Sequence, residues 1–343
     1  MGTFWVSMEM SEPTRRRDST YGRAAIHVVR SVALAIALAM ALSACMVRTR
    51  PPDVSVELTR PVVHTTPDTA DQMATALPSR LRIVTFNVHR ETAANVIRGV
   101  RSEPVLREAD LILLEEIHRI EPTADLCSPA CALAKELGMH AAYAPGHMQG
   151  DGSDGVAILS RAPILSTEVL ELPDIDVHIN SGRRVALVAT ILVDDQPVTV
   201  YAVHLTNRLT VAERRRQMMP ILEHAAHVTT PILMAGDFNS SPFSWFHGIV
   251  PIPFGHQDAH LEKLMRANNF ETPVTRSGPT SRVLGMKLDA IYTRGFATSA
   301  FATAHASDVS DHLALWADVE LRRQHSVAVA DLPPAAAPAT VTR

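Results

Sequence analysis

Residues 231–241 read Pro-Ile-Leu-Met-Ala-Gly-Asp-Phe-Asn-Ser-Ser, an apolar strand pattern that ends in two polar side chains. Because side chains alternate between the two faces of a strand, the spacing of Asp237 and Asn239 directs both to one side. Gly236 permits close approach of backbone or ligand. Since α/β proteins place chemistry at the carboxyl ends of strands, the stretch indicates a functional site, whereas in isolation it would indicate an ordinary Asx turn.

The length and charge of the chain limit what it does. With 343 residues, 46% of them hydrophobic, the chain can bury a core and form one large domain or two. Its formal net charge is −4, whereas proteins that hold duplex nucleic acid through many phosphates are basic. The composition argues against tight non-specific DNA binding and leaves acidic residues available to surround a metal ion.

The first 45 residues have the pattern of an export signal. Arginines precede an apolar run at residues 32–42, which is too short for an ordinary membrane-spanning helix. The run ends in Leu-Ser-Ala-Cys at 42–45, which resembles the lipobox of bacterial lipoproteins. We expect residues 1–44 to be a lipoprotein signal peptide and Cys45 to carry a lipid that anchors the protein, extracytoplasmic, in the bacterial cell envelope. A plain secretory signal and an uncleaved anchor are the alternatives.

Composition divides the remaining chain into three parts. Residues 45–79, rich in Pro and Thr, predict a disordered tether, and residues 322–343, rich in Ala and Pro, predict a disordered tail. The globular domain is expected to span 80–321. In an export compartment Cys127 and Cys131 either form a small structural disulfide, which we favour, or remain two buried thiols.

The hydrophobic pattern predicts about ten strands and few helices. Helices are expected near 92–100, 129–137, 210–227 and 257–269, and strands near 82–88, 110–117, 139–143, 155–160, 164–171, 184–193, 198–205, 231–236, 287–293 and 313–320. Pro220 predicts a kink or break in the third helix, and the Gly-rich residues 146–155 predict a mobile loop. The excess of strands favours a mixed-sheet sandwich with helices outside over a repeating βαβ wheel.

Other predicted strands also carry polar groups at or near their ends. Each group alone has an ordinary explanation, such as a turn, a solvated acid or a buried histidine with satisfied nitrogens. Together with the opening stretch they form a set of residues suited to phosphate chemistry. They are Asn87, Glu116, His204, Asp289, Asp311 and His312.

In their order along the chain these segments resemble the motifs of the endonuclease/exonuclease/phosphatase superfamily, whose members share the deoxyribonuclease I-like fold. The motifs are Thr-Phe-Asn-Val at 85–88, Leu-Leu-Glu-Glu at 113–116, Gly-Val-Ala-Ile-Leu-Ser-Arg at 155–161, Val-His-Leu at 203–205, Gly-Asp-Phe-Asn-Ser at 236–240, Leu-Asp-Ala-Ile-Tyr at 288–292 and Ser-Asp-His at 310–312. The resemblance covers about residues 80–320. It implies an α/β (α+β) fold, a four-layer sandwich of two packed mixed β-sheets flanked by helices.

The resemblance and the chemistry of phosphate esters together suggest a metal site. A phosphodiester is anionic, and its transition state spreads charge over the non-bridging oxygens, so a catalyst needs a cation, neutral donors and a base. Asn87, Glu116 and Asp311 offer hard oxygen ligands and are expected to hold Mg²⁺ or Mn²⁺. The sequence leaves open whether one or two ions bind.

The remaining motif residues are assigned to proton transfer and phosphate binding. His312 is the expected general base toward water, and Asp289 is expected to hold it in one tautomer. Asn239 and His204 are the candidate donors to phosphate oxygens. Asp237 either orients the water, touches the metal or protonates the leaving oxygen.

Two departures from the family pattern limit these assignments. Many relatives have Gln where this chain has Glu115, which alternation places on the strand face opposite Glu116, and we interpret Glu115 as structural. Many nuclease-like relatives place an aromatic residue after the position of Thr280, whereas this chain has Ser281 and Arg282. The missing ring weakens the nuclease interpretation more than the enzyme interpretation.

Several other residues are interpreted as structural or surface residues. Asp308 is expected to be structural and His118 to lie on the surface, while the rings at 243–246 are expected to pack under the loop rather than line a substrate wall. Some arginines near the expected mouth could neutralise a phosphate, but the excess of Arg over Lys favours ordinary surface positions. They are Arg161, Arg183, Arg184, Arg208 and Arg282.

These observations predict a monomeric, lipid-anchored phosphoesterase. Its expected substrates are nucleic acid, a phospholipid or sphingolipid headgroup, or a small organic phosphate, in that order. The alternative from another class is a non-catalytic envelope binding module on the same fold. The completeness of the site favours the enzyme, since a retired enzyme would be expected to lose His312 or Glu116 first.

Overall fold

The computed structural model describes most of the predicted globular domain. It describes residues 62–64, 75–120, 129–150, 152–175, 177, 182–246, 250–253, 255, 257–272, 277–283, 285–305 and 309–322. The signal peptide, Cys45, Cys127, Asp308 and nearly all of the predicted tail lie outside the described residues, so the predicted lipid anchor and disulfide remain predictions. Among the described helices, none has the length and apolar character that crossing a membrane requires.

Most of the described chain folds into two large mixed β-sheets and a separate hairpin. The strands are β1 (Val62–His64), β2 (Arg80–Asn87), β3 (Leu111–Ile120), β4 (His140–Gln149), β5 (Gly152–Ser160), β6 (Ser166–Leu172), β7 (Arg184–Val193), β8 (Gln196–His204), β9 (Ile232–Asp237), β10 (Phe243–Phe246), β11 (Val250–Pro253), β12 (Asp289–Arg294), β13 (Phe296–Ala304) and β14 (Ala314–Leu321). The sheets have the orders β1-β4-β5-β3-β2-β14-β13 and β12-β9-β8-β7-β6, and β10 pairs with β11. In each large sheet one neighbouring pair is parallel, β2 with β3 and β8 with β9.

Helices cover the outer face of each sheet. They are α1 (Ala93–Ser102), α2 (Pro104–Arg107), α3 (Pro129–Leu137), α4 (Val211–His227) and α5 (Gln257–Ala267). Helices α1 to α3 share a buried apolar cluster with the seven-stranded sheet, and α4 and α5 share another with the five-stranded sheet. A third cluster joins the inner faces of the two sheets. The predicted four-layer sandwich of two mixed sheets with helices outside is therefore confirmed.

Packing decides two features of the chain: the continuity of a helix through Pro220 and the pairing of a Gly-rich segment. Helix α4 begins at the predicted capping box of Thr210 and Glu213 and continues through Pro220 to His227, so of the two outcomes predicted at Pro220, a kink or a break, the break is wrong. Its apolar side packs in the cluster on the five-stranded sheet, which offsets the hydrogen bond that proline cannot make.

The Gly-rich residues 146–155 lie mostly in the paired strands β4 and β5 rather than in a loop. A Cβ at Gly155 would collide with the carbonyl oxygen of Ala144, so glycine there permits close strand contact.

The ordered part of the domain begins earlier than the sequence indicated. Strand β1 lies within the stretch predicted to be a tether and pairs antiparallel with β4. Leu77, in the same predicted tether, is buried in the core between the sheets. The amino-terminal edge of the seven-stranded sheet is thus built from residues that composition alone assigned to a linker.

Candidate active site

The candidate site lies at one end of the sandwich, where the side chains that face the space between the two sheets change from apolar to polar. In β8 and β9 the side chains facing the inner core end in His204 and Asp237, and these two residues are register partners in the parallel pair. On the other side of β9, Asp289 is the register partner of Asp237 in an antiparallel pair. Regular strand alternation therefore brings three predicted site residues together at one end of the sandwich.

A β-bulge brings two acids of β3 to the same region. The register of β3 against β5 shifts between Leu114 and Ile117, and Glu116 within this bulge has a φ of 53°. Glu115 is completely buried and its Oε1 accepts a 2.8 Å hydrogen bond from Thr85 Oγ1. The expectation from alternation that Glu115 would point away from Glu116 is wrong, since a bulge interrupts alternation and re-aims a side chain.

Asp237 is the most highly connected of the site residues. Its Oδ2 accepts hydrogen bonds from Asn87 Nδ2 at 3.0 Å and Asn239 Nδ2 at 3.2 Å. The Nε2 atoms of His204 and His312 lie 3.7 and 3.9 Å from the same oxygen. The backbone N–H of Asn239 donates to Oδ1 at 2.8 Å. Five polar groups therefore converge on one buried carboxyl.

The side-chain NH₂ group of Asn239 is already engaged in hydrogen bonds within the protein. Its backbone has a φ of 52°, and its Nδ2 donates to the carbonyl of Leu205 at 2.9 Å in addition to Asp237. Both amide hydrogens therefore already have acceptors. In this arrangement Asn239 positions Asp237 against the end of β8, and the predicted donation to a substrate phosphate stays a prediction.

His312 and Asp289 form the predicted pair. Nδ1 of His312 lies 2.8 Å from Oδ2 of Asp289, and the His312 backbone N–H donates to Ser310 Oγ at 3.0 Å. Burial by itself lowers the pKa of His312, but the charge of Asp289, its hydrogen bond and the charge of Asp237 outweigh burial and raise the pKa to about 11. Asp289 thus fixes the ring so that Nε2 faces Asp237.

Two buried carboxyl groups of the site, Asp237 and Glu115, have raised pKa values. Burial and the charge of Asp289 raise the pKa of Asp237 to about 7. Burial, followed by the charge of Asp289, also raises the pKa of Glu115 well above its usual range. The negative charge of Asp289 therefore opposes ionisation of Asp237 and Glu115, and a bound cation would offset this repulsion.

The donor groups suit a hard divalent cation. Asp237, Asp289 and His312 each offer a ligand atom, all within 4.8 Å of one another. Oε2 of Glu116 is buried without a hydrogen-bond partner, although Arg90 Nε lies 3.4 Å away. Carboxylate oxygens of this kind fit Mg²⁺ or Mn²⁺.

The three predicted metal ligands are placed differently from one another. Asn87 and Glu116 adjoin, with Asn87 Nδ2 3.4 Å from Glu116 Oε1, and Oδ1 of Asn87 accepts from the His89 N–H at 3.0 Å. Asn87 therefore presents its NH₂ group to the acids, and ligation through oxygen would require the amide to turn. The side chain of Asp311 is 43% exposed and lies 3.9 Å from His89 Nδ1. Asp311 thus stands at the rim of the site.

The rim borders an open cleft of about 500 Å³. His89, Arg282 and Asp311 contribute charged or polar walls, and Val283, which is 75% exposed, contributes an apolar one. Arg282 is therefore placed where it can meet a substrate. Arg161 is not, because its guanidinium donates to the backbone carbonyls of Ala109, Leu137 and Arg107.

Two residues near the site are more buried than the sequence analysis predicted. His118, expected on the surface, has a side chain only 19% exposed and lies 2.7 Å from Asp154, which also pairs with Arg90 at 2.8 Å. Arg184, expected to be a surface residue, is 7% exposed, and its NH1 lies 3.1 Å from Nδ1 of His204. The signal available for Arg184 was its position at the start of a strand that pairs with the strand of His204.

A protein-family model described as the Endonuclease/Exonuclease/phosphatase family matches residues 84–312. This range contains all of the predicted site residues. Among curated proteins, no significant match to the chain was found.

Solved structures share the fold at low sequence identity. An endonuclease/exonuclease/phosphatase protein from Beutenbergia cavernae has 20% identity and a TM-score of 0.56, over 71% of this chain and 72% of that chain. A family protein from Leptotrichia buccalis has 16% identity and a TM-score of 0.56, over 70% of this chain and all of that one. ANGEL2, described as a 2′,3′-cyclic phosphatase, has 17% identity and a TM-score of 0.50, over 74% and 98%.

Proposed function

Because the chain belongs to the endonuclease/exonuclease/phosphatase family, we propose that it is a divalent-metal-dependent phosphoesterase that hydrolyses a phosphodiester or phosphomonoester by in-line attack of water. The observation that carries the proposal is the buried group of Asp237, Asp289 and His312. It combines a histidine oriented by one carboxylate with a second carboxylate facing its free nitrogen. A binding module has no need of such an arrangement.

The proposed mechanism gives each side chain a role consistent with its contacts. Glu116 and the neighbouring acids would hold a divalent ion, which would supply positive charge near the phosphate oxygens and offset the carboxylates that otherwise keep His312 protonated. His312 Nε2 accepts the proton of the attacking water. Asp289, 2.8 Å from Nδ1, holds the ring and stabilises the imidazolium that forms. His204 Nε2 donates to a phosphate oxygen as charge develops there.

A fold relative and a missing aromatic ring bear on the substrate class. ANGEL2, a fold relative, is described as a 2′,3′-cyclic phosphatase and was solved with adenosine-2′,3′-vanadate. We propose nucleic acid, a lipid headgroup or a small organic phosphate as the substrate, in that order of preference. Thr280, buried, accepts from the backbone of Leu288 and Asp289 and so supports β12. No ring stands at 281 or 282 to stack on a base, which disfavours a nuclease requiring that contact.

Hydrolysis of bis-p-nitrophenyl phosphate tests the reaction. We expect turnover with Mg²⁺ or Mn²⁺, loss of turnover with EDTA, and a fall in kcat of about 10²-fold or more in His312→Ala, since general base catalysis contributes 10²–10⁴-fold. His227→Ala, which removes an exposed histidine of α4, is the matched control. Equal rates in wild type and His312→Ala would reject the catalytic proposal in favour of a binding module.

A parallel screen identifies the substrate. Plasmid DNA, RNA, sphingomyelin and inositol phosphates are presented side by side with the same metal ions. Selective release from one class would define the substrate, and His312→Ala should abolish that release as it abolishes turnover of the chromogenic ester. Release that persists in His312→Ala would indicate a contaminating enzyme.

We also propose that the protein is lipid-anchored in the bacterial cell envelope. The proposal rests on the Leu-Ser-Ala-Cys sequence at 42–45. Replacing Cys45 with Ser removes the thiol that would carry the lipid, so the variant should move from the membrane fraction to the soluble fraction. Unchanged recovery in membranes would count against lipidation.

A further inference from the structure

A buried arginine contacts His204, the candidate hydrogen-bond donor to the substrate phosphate, on the side of the ring opposite the acids. Arg184, the first residue of β7, is 7% exposed, and its NH1 lies 3.1 Å from Nδ1 of His204 on the neighbouring strand β8. A guanidinium has only N–H donors and stays protonated in proteins. The contact is therefore a hydrogen bond only if Nδ1 of His204 is the acceptor, which requires its lone pair to be free.

The other ring nitrogen must then carry the proton. Nε2 of His204 lies 3.7 Å from Asp237 Oδ2 and 3.9 Å from Glu116 Oε1. An Nε2–H group pointing between two carboxylate oxygens is favourable, whereas the opposite tautomer would aim a lone pair at the acids and an N–H at the guanidinium. Both ends of the ring thus select the same tautomer.

The surroundings of Arg184 do not point to an ordinary ion pair. Within the described part of the chain, no carboxylate lies within salt-bridge distance of its guanidinium, and its buried Nε has no hydrogen-bond partner. The acids Glu116 and Asp237 act on it only as charges at longer range. Among the described residues, the side chain that hydrogen-bonds to this guanidinium is His204.

We propose that Arg184 is a positioning residue that fixes His204 in the Nε2–H tautomer, so that the ring meets the substrate as a neutral hydrogen-bond donor and not as a base or a metal ligand. The catalytic consequence rests on the proposed phosphoesterase function, whereas the tautomer does not.

Nitrogen NMR tests the tautomer without any activity. In protein labelled with [¹⁵N]histidine, long-range ¹H–¹⁵N spectra distinguish a protonated from an unprotonated ring nitrogen, and the His204 signals are assigned by their loss in His204→Gln. We expect an unprotonated Nδ1 and a protonated Nε2 in the wild type. In Arg184→Met the two nitrogens should approach each other in shift as tautomers exchange, while Arg184→Lys, which keeps a donor and a charge, should retain the wild-type pattern.

The neighbouring arginine supplies the matched control. Arg183 donates to Glu171 and to the carbonyls of Pro145 and Gly146, and contacts of this kind do not set the tautomer of His204. Arg183→Met should leave the His204 signals unchanged. A protonated Nδ1 in the wild type, or signals that do not respond to Arg184→Met, would overturn the proposal. If Arg184→Met does not fold, the wild-type spectrum and Arg184→Lys still decide it.

Kinetics test the catalytic consequence. On bis-p-nitrophenyl phosphate, Arg184→Met should lower kcat about 10-fold or more with little change in KM, because removal of a well-placed donor to a transition-state oxygen costs up to 10²–10³-fold. In a His204→Gln background the same substitution should have little further effect, since it acts through the ring. Additive losses would show that Arg184 acts independently of His204. If the wild type has no turnover, the proposed function fails while the tautomer assignment stands.

Discussion

Asp237 and Asp289 are register partners on the antiparallel strands β9 and β12, and each is 1% exposed. Burial and the charge of Asp289 together raise the pKa of Asp237 to about 7. The relationship is unfavourable in isolation. It becomes favourable when a cation lies among the acids, so the cross-strand pair connects the fold directly to the proposed chemistry.

Metal binding should therefore stabilise the protein. Saturating Mn²⁺ or Mg²⁺ is expected to raise the free energy of unfolding by about 2–3 kcal/mol at roughly 100 times its dissociation constant. Thermal unfolding with metal and with EDTA measures the gain. Glu116→Gln should lose most of it, whereas Glu108→Gln, at an exposed acid, should keep it. An equal gain in both variants would place the metal elsewhere.

Asp289→Asn should reduce turnover more than it reduces substrate binding. An amide NH₂ in place of Oδ2 favours an unprotonated Nδ1 on His312, which turns the proton-accepting Nε2 into a donor. We expect kcat to fall about 10²-fold or more with KM changed little. Steady-state kinetics measures both parameters. A variant with normal kcat would show that the histidine is oriented by other contacts.

Glu115→Gln should stabilise the metal-free protein. Oε2 of Glu115 and Oδ1 of Asp289 are both buried without a hydrogen-bond partner, and an amide can donate where a carboxylate cannot. The gain is expected to be about 1 kcal/mol at neutral pH. The raised pKa of Glu115 means that wild-type stability falls as pH rises above the unfolded-state value, so the gain should be larger at pH 8 than at pH 5.

Chemical denaturation in EDTA at the two pH values measures this difference. Glu115→Ala, which leaves a cavity and an unpaired Thr85 hydroxyl, should instead destabilise. If Glu115→Gln is destabilising at both pH values, the carboxylate has a partner that the amide cannot satisfy.

Gly236→Ala should destabilise the fold strongly. Gly236 has a φ of 156°, and a Cβ there would collide with the backbone carbonyl of Val203 on β8. We expect a loss of more than about 2 kcal/mol, because the obstruction is backbone in the parallel pair that presents His204 and Asp237. Gly278→Ala, whose Cβ would meet open space, is the control and should change stability by less than about 0.5 kcal/mol. Equal denaturation midpoints for the two variants would contradict the argument.

His147→Gln should make the protein less sensitive to acid. Burial, followed by the charges of Arg184 and Arg90, lowers the pKa of His147 to about 3. The unfolded chain protonates this histidine near pH 6.5, so the stabilisation is complete above that pH and is lost as pH falls toward 3. The substitution should remove up to about 1.4 kcal/mol per pH unit from the slope of stability in this window.

Urea denaturation at several pH values between 7 and 4 measures the slope. His227→Gln, at an exposed position of α4, serves as the control and should follow the wild type. A slope that is the same in wild type and His147→Gln would show that another group accounts for acid sensitivity in this range.

The sequence predicted correctly those strands and helices that follow from a local residue pattern, and it missed those that depend on packing. Strand β7 and helix α3 lie where the pattern placed them, and the capping box at Thr210 starts α4 as expected. Strand β13 and the hairpin β10–β11 were missed because β13 consists mostly of Ala, Ser and Thr and β11 contains two prolines, which strands usually exclude. The predicted alternative of a break at Pro220 is wrong because packing against a sheet, which is not local, sustains the helix.

The sequence by itself determined which polar residues stand at the ends of the inner strands, since one apolar strand ends in His204, another ends in Asp237 and a third begins at Asp289. Only the tertiary structure decided how those ends meet. The bulge at Glu116 places a second acid in the site, and Arg184 contacts His204 across a strand pair. A left-handed φ and a cross-strand hydrogen bond depend on neighbours far along the chain, so no local pattern specifies them.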